Sequence, residues 1–261
     1  MLRGRTGVTS RCISYNRRMC ARFVSRVMAA LERAVQVRWH DPFDLIYNAA
    51  PSMQLSVVTA GPDGPEARAM KWGFVPGWWK QAKPPKLTIN ARSEDAANLP
   101  MWQAAFRGSR CLVPAIGWYE WRSESRVDTT TGEISAVRRP YFIHLEGLEP
   151  LSFAGLWSRW QPDKDAEPLL TFSILTRTPT PSLAQLHDRM PVVLREDQFT
   201  AWLDPANDDS SAQRTLSGGA LLEFRHYPVS TYVNNPRNEG KECIEPQSAD
   251  PEPPKNFELV G

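Results

Sequence analysis

Nowhere in the 261 residues do eighteen apolar side chains run uninterrupted, and no charged-then-apolar leader resembles a secretory signal. Both absences argue against a membrane helix and an export route, so a soluble, intracellular protein without membrane partners is expected. Cysteine is scarce and unpatterned. Cys12, Cys20, Cys111 and Cys243 form no CxxC pair and no regular spacing, which speaks against a disulfide framework and a zinc site. No metal and no cofactor is therefore expected, and at least one thiol is free to do chemistry. Net charge is nearly absent too, at +2, so long-range attraction to nucleic acid is unavailable and any such binding must use a local patch of arginines. No internal repeat is visible.

Acid is missing from residues 1–18, which carry Arg3, Arg5, Arg11, Arg17 and Arg18 and leave a net −3 on the rest. Three origins fit this leader: translation from a start codon placed too early, a segment later removed (a transit peptide among the possibilities), or a basic arm on DNA. The first is preferred.

What is present fits one domain with one substantial core, since 41% of the chain is hydrophobic and 23% charged. Phe23, Val27, Met28, Leu31 and Val35 recur every three to four positions and predict an amphipathic helix from Phe23 to about Val37. After it, β-type segments dominate: "QLSVVTA", "ARAMKWGFV", "RCLVPAIGWYEW", "PYFIHLE", "LSFAGLW" and "LLTFSILT", parted by Pro, Gly and charged turns. They predict a curved, mainly antiparallel, barrel-like sheet. Short peripheral helices are expected at "MWQAAFRG", "TPSLAQLH" and "REDQFTAWL", and a solvated loop at "DPANDDSSAQRTLSGG". The class is thus a single-domain α+β protein, divided into a basic leader (1–18), the domain itself (20–246) and a Pro-rich acidic tail (247–261).

The junction Met19-Cys20 matters chemically. Methionine aminopeptidase removes an initiator Met ahead of a small residue, so a start at Met19 leaves Cys20 first, a 1,2-aminothiol with an amine of pKa about 8 beside a thiol of about 8.5. Such a pair condenses with an aldehyde to a Schiff base and closes to a thiazolidine. As an internal residue, Cys20 reads instead as a buried structural cysteine. Three other stretches share this ambiguity. "TINARSED" offers Asn90 and Arg92. "CLVPAIGWYEW" sets Glu120 between Tyr119 and Trp121, where loss of solvation raises a carboxyl pKa and suits it to proton transfer. "LHDRMPVVL" offers His187 and Arg189. Singly, Glu120 also reads as an outward strand residue and His187 as structural; most of the ten Trp read as core.

Together, "MCARF", "YNAAPSMQ", "KWGFVPGW", "INARSED", "RCLVPAIGWYEW", "ILT", "HDRMPVVL", "VNN" and "ECIEP" stand in the order seen in the SOS-response-associated peptidase family, which the chain resembles from Met19 to about Pro246. That resemblance implies covalent capture of abasic sites in single-stranded DNA through a mature N-terminal Cys. It implies Cys20 as the nucleophile, Asn90 orienting its amino end, Glu120 relaying the amine proton and His187 acting as acid/base on the sugar oxygen. It further implies Arg22, Arg92 and Arg189 on phosphates, with Pro51, Trp72 and Trp121 against sugar or bases. A lesion without a base needs no base-edge reader, and none is visible. The same resemblance implies a monomer acting in the cytoplasm at the nucleoid. Departures are Ala21 for the usual glycine, Trp118 for Phe, and "LTRTPT" for a polar Thr-Thr-x-Ala run. Two other readings stay open: a trans-acting cysteine peptidase built on Cys20, His187 and Asn90, and a non-covalent single-strand binding module.

Overall fold

The computed structural model describes residues 20–26, 31, 35–39, 45–81, 88–127, 130–217 and 222–247. In chain order the strands begin with β1 (Phe23–Ser25), β2 (Arg38–Trp39), β3 (Ile46–Ala49), β4 (Gln54–Gly61), β5 (Gly64–Trp72) and β6 (Asn90–Arg92). The long β7 (Arg110–Val127) and β8 (Ile134–Leu145) follow, then β9 (Leu151–Trp160), β10 (Leu169–Arg177), β11 (Met190–Pro191), β12 (Val193–Leu194) and β13 (Phe224–Pro228). Short helices flank them, among them α1 (Gln103–Gly108), α2 (Glu196–Leu203) and α3 (Asp209–Ser217).

One sheet holds all these strands, and its pairings β4–β5, β5–β10, β10–β9, β9–β7 and β7–β4 close a ring. Most pairs are antiparallel, as expected; β10 runs parallel to both β5 and β6, and β2 runs parallel to β5. The result is ring-like rather than a regular barrel. Successive residues of a strand point to opposite faces, and here both faces are covered. Val57, Val113, Phe153 and Ile174 join Phe23, Trp72, Trp118 and Phe172 in one core. Their chain neighbours Val58, Leu112, Ala154 and Leu175 join Phe106, Phe199 and Trp202 in the other, against α1 and α2. Double burial is the reason these strands read as continuous apolar runs rather than as alternation.

β1 is wedged between β3 and β7, with Phe23 opposite both Ala49 and Trp118. Gly117 of β7 lets β8 approach closely, because a Cβ there would meet the Ile143 carbonyl oxygen and lie 2.7 Å from the Phe142 ring. Arg110, itself buried, donates to the Trp202 carbonyl at 2.8 Å and to that of Asp204 at 2.5 Å. A cation thus satisfies the free carbonyls at the end of α2, where the helix dipole favours positive charge.

Three local expectations are corrected. Phe23–Ser25 is strand, because two neighbouring strands supply ladder partners there. Leu31 and Val35 are helical and buried, and the positions between and before them lie outside the described residues. "TPSLAQLH" forms consecutive turns, not a helix. The supposed loop after Pro205 contains α3, which buries Ala212 and Leu216 four residues apart and receives an N-terminal cap when Asp208 accepts from the Ser211 amide at 2.8 Å. The leader and the end of the tail lie outside the described residues. Among those described, no helix is long and apolar enough to cross a membrane.

Candidate functional site

Three strands deliver the central groups. Continuing the β1–β7 register backwards from Phe23 opposite Trp118 puts Ala21 opposite Glu120 and Cys20 one position beyond it. The Cys20 backbone nitrogen donates to Glu120 Oε1 at 3.0 Å, and the Cys20 carbonyl accepts from Asn90 Nδ2 at 3.2 Å. Asn90 opens β6 and is held opposite Ile174 of β10. Cys20 is fully buried, and its φ of 23° lies at the edge of the left-handed region. Its thiol is pushed well above the usual range, first by burial and then by the Glu120 charge.

Glu120 is 2% exposed. Burial raises its pKa from the ordinary 4.5 to about 8, against the Cys20 N–H and Arg138, which lower it, while Asp188 adds to the rise. At pH 7 a group of this pKa is protonated in roughly a ten-to-one ratio. The Asp188 effect places the His187 turn within electrostatic reach of Glu120. His187 is buried; its Nδ1 lies 3.1 Å from the Arg189 amide nitrogen and 3.0 Å from Asp188 Oδ1. The neutral ring accepts from the amide and the protonated ring donates to the carboxylate, so Nδ1 has a partner in both states.

The expected phosphate contacts differ sharply in availability. Arg92 is exposed on β6, opposite Thr176. Arg189 sits at the same edge but grips both Glu94 oxygens at 2.7 Å and the Thr176 carbonyl at 2.6 Å. The Arg22 guanidinium donates to Asn48 Oδ1 at 2.9 Å and to the carbonyls of Val233 (2.8 Å) and Asn234 (3.3 Å). Contact with phosphate by Arg22 requires breaking that set. Trp121 is half-buried, with Nε1 donating to Asn234 Oδ1 at 2.7 Å, and Pro51 is half-buried in the turn between β3 and β4.

Trp72 requires a correction. It is fully buried, stacked on Phe172 with ring centroids 6.3 Å apart and donating to the Ile89 carbonyl at 2.9 Å, so it is a core residue with no face open to DNA. Trp118 is likewise core, edge-on to Phe153 and Phe224. Among the described residues no cluster of potential metal ligands occurs, and the cysteines Cys20, Cys111 and Cys243 are free thiols.

Sequence reasoning missed Asn48. Fully buried, its side chain donates to the carbonyls of Asn235 at 3.0 Å and Asn238 at 2.9 Å, while the Tyr47 and Asn48 amides donate to the Glu239 carboxylate. Asn48 and Arg22 thereby tie residues 233–239 across β1 and β3, next to Cys20. Its partners lie nearly two hundred positions away; the one available signal was a polar residue inside "YNAAP".

The family model for the SOS response associated peptidase (SRAP) matches residues 19–236. Among curated proteins, the abasic site processing protein YoqW of Bacillus subtilis (strain 168) is 32% identical over 200 residues, covering 76% of this chain and 85% of its own. The abasic site processing protein YedK of Escherichia coli (strain K12) is 29% identical over 202 residues, covering 77% and 84%. Among solved structures, a protein from Bacteroides thetaiotaomicron superposes with a TM-score of 0.68 at 22% identity, over 89% of this chain and 99% of that one. A phage-related protein from Bordetella bronchiseptica gives 0.59 at 26%, over 80% and 94%.

Proposed function

The chain belongs to the SOS response associated peptidase family, and we propose that it processes abasic sites in single-stranded DNA by forming a covalent thiazolidine with Cys20. The observation that carries this reading is the backbone nitrogen of Cys20 held 3.0 Å from the buried Glu120 carboxyl. The names of relatives such as YoqW support the substrate class.

The reaction begins once residues up to Met19 are gone and that nitrogen is an α-amine. An abasic deoxyribose is mostly a cyclic hemiacetal, and only its open form presents an aldehyde. His187 transfers a proton at the ring oxygen as the ring opens. The amine then adds to the aldehyde carbon, Glu120 relays the amine proton to the oxygen and gives its own proton to the resulting hydroxyl, and water leaves to give an iminium. The Cys20 sulfur attacks the same carbon, its proton lost to the now ionised Glu120, and the ring closes. One water is released and no oxidant or reductant is needed. A buried thiol of raised pKa is a poor nucleophile on its own, but the positive iminium beside it favours the thiolate. Asn90, donating to the Cys20 carbonyl, keeps amine and thiol in one geometry.

The raised thiol pKa also weakens the trans-acting peptidase reading, in which a resting thiolate pairs with His. Arg92 supplies phosphate contact, and Pro51 and Trp121 exclude a paired strand. The protein acts as a monomer at the nucleoid.

The test uses protein whose N-terminus is verified by intact mass and single-stranded DNA with one abasic site on a denaturing gel. Wild type beginning at Cys20 gives a heat-stable adduct. Cys20→Ser gives only an imine that borohydride can trap. Equal heat-stable adduct from Cys20→Ser, or full activity of protein still beginning at Met1, defeats the mechanism.

A further inference from the structure

β7 and β8 continue well past the body of the sheet. β13 stays paired with β8 only as far as Pro228 opposite Tyr141, whereas β7 and β8 remain paired for seven further rungs, from Trp121↔Pro140 to Val127↔Ile134. The described residues supply no third strand to this stretch, and from Ile134 to Arg138 every β8 residue is exposed. At about 3.4 Å per residue the ribbon extends roughly 20 Å, starting one residue after Glu120.

Its two faces differ in how far their guanidiniums are engaged. On the face of Glu120, Arg122 and Arg139 both lie against Glu124, at 2.5 and 3.8 Å; Arg122 also sits 4.9 Å over the Tyr141 ring, and Tyr141 donates to Glu124 at 2.8 Å. The opposite face carries Trp121, Ser123 and Ser125 on β7 beside Pro140, Arg138 and Ala136 on β8. It holds no acid at these positions, and Arg138 is exposed and forms no ion pair among the described residues. Hydroxyls and one uncompensated guanidinium along an extended ribbon match a phosphodiester backbone, which accepts hydrogen bonds at every phosphate.

We propose that this face, rooted at Trp121 and centred on Arg138, is a track for the DNA strand leading away from the abasic site on one side. The inference rests on the function proposed above and adds a length: at 3.4 Å per stacked nucleotide, the ribbon covers about six. Arg138 thus serves binding rather than chemistry.

The test compares wild type, Arg138→Ala and Arg138→Glu on single strands whose flanks are cut to two nucleotides on one side or the other, or left at ten on both. Binding to strands carrying a tetrahydrofuran analogue of the abasic site, which has no aldehyde and fixes the register, is followed by anisotropy between 50 and 200 mM salt, and adduct formation on abasic strands by denaturing gel. Loss of one phosphate contact predicts about tenfold weaker binding of the long strand by Arg138→Ala, and a log–log salt slope shallower by roughly 0.7. Arg138→Glu should be weaker still. When the flank on the ribbon side is cut to two nucleotides, the three proteins should bind alike. Wild-type affinity and slope for Arg138→Glu on the long strand would overturn the track, and so would an equal loss on long and short strands, which would mean that Arg138 acts through Glu120. If wild type forms no adduct at all, the proposed function fails while the binding comparison still decides the ribbon.

Discussion

Replacing Glu120 by Gln separates burial from ionisation without changing shape, because Gln Oε1 can still accept from the Cys20 nitrogen. In the folded protein the carboxyl titrates at about 8 instead of the ordinary 4.5. Between those values the native state holds a proton that the unfolded state has released, so the stability derivative with pH is negative. The contribution is fully retained below pH 4.5, is lost as pH rises, and levels off above about 8. At 1.36 kcal/mol per pH unit, this difference amounts to about 5 kcal/mol at most, and relaxation around a buried charge reduces it, so a loss on the order of 2–5 kcal/mol is expected. Urea unfolding at pH 5, 7 and 9 measures it. Wild type should lose stability across that range by this amount relative to Glu120→Gln, whose amide does not titrate. Parallel pH profiles for the two proteins would show that Glu120 ionises normally, and its role as a proton carrier near neutrality would fall with it.

Two further outcomes follow from the site. His187→Ala keeps both nucleophiles and loses one proton transfer, so adduct formation should slow by about 10²- to 10⁴-fold without stopping; Asn90→Ala should slow it less, and rapid-quench time courses on abasic strands rank the two. Arg92→Ala should weaken binding to undamaged strands and flatten its salt dependence by roughly 0.7 in log–log slope, whereas Arg189→Ala, which removes a side chain already gripped by Glu94 and Thr176, should leave the slope as in wild type. Equal slopes for all three proteins would show that Arg92 touches no phosphate.

The strands were legible because both of their faces are buried: "LSFAGLW" and "LLTFSILT" are apolar throughout, and no helix of their length needs that. The α3 helix was hidden by its chemistry. "DDSSAQRT" is polar almost all round, and its evidence lay in two apolar residues four apart and in the cap at Asp208. Local periodicity misled at Phe23, where the pattern fits a helix but β3 and β7 supply ladder partners on either side. Trp72 misled in a different way. A tryptophan between a lysine and a glycine reads equally as a platform or as core, and only the stacking on Phe172 decides.

The candidate site divides along the same line. Residue types are local, so the Met19-Cys20 junction and a carboxylate in an aromatic strand could be read directly. What each group does depends on partners set by register. Glu120 is a hundred positions from Cys20, and Asn90 is seventy. The arginines show the cost of lacking that information: from sequence, Arg22, Arg92 and Arg189 are equivalent cations, yet two of the three are committed to protein oxygens. A guanidinium already bound to carbonyls or a carboxylate must give up charge-assisted hydrogen bonds before it can hold phosphate. The electrostatic contribution to DNA binding therefore falls on the uncommitted cations nearest Cys20 and Glu120, which makes Arg92 on one side and Arg138 on the other the positions where a change of charge should be felt most.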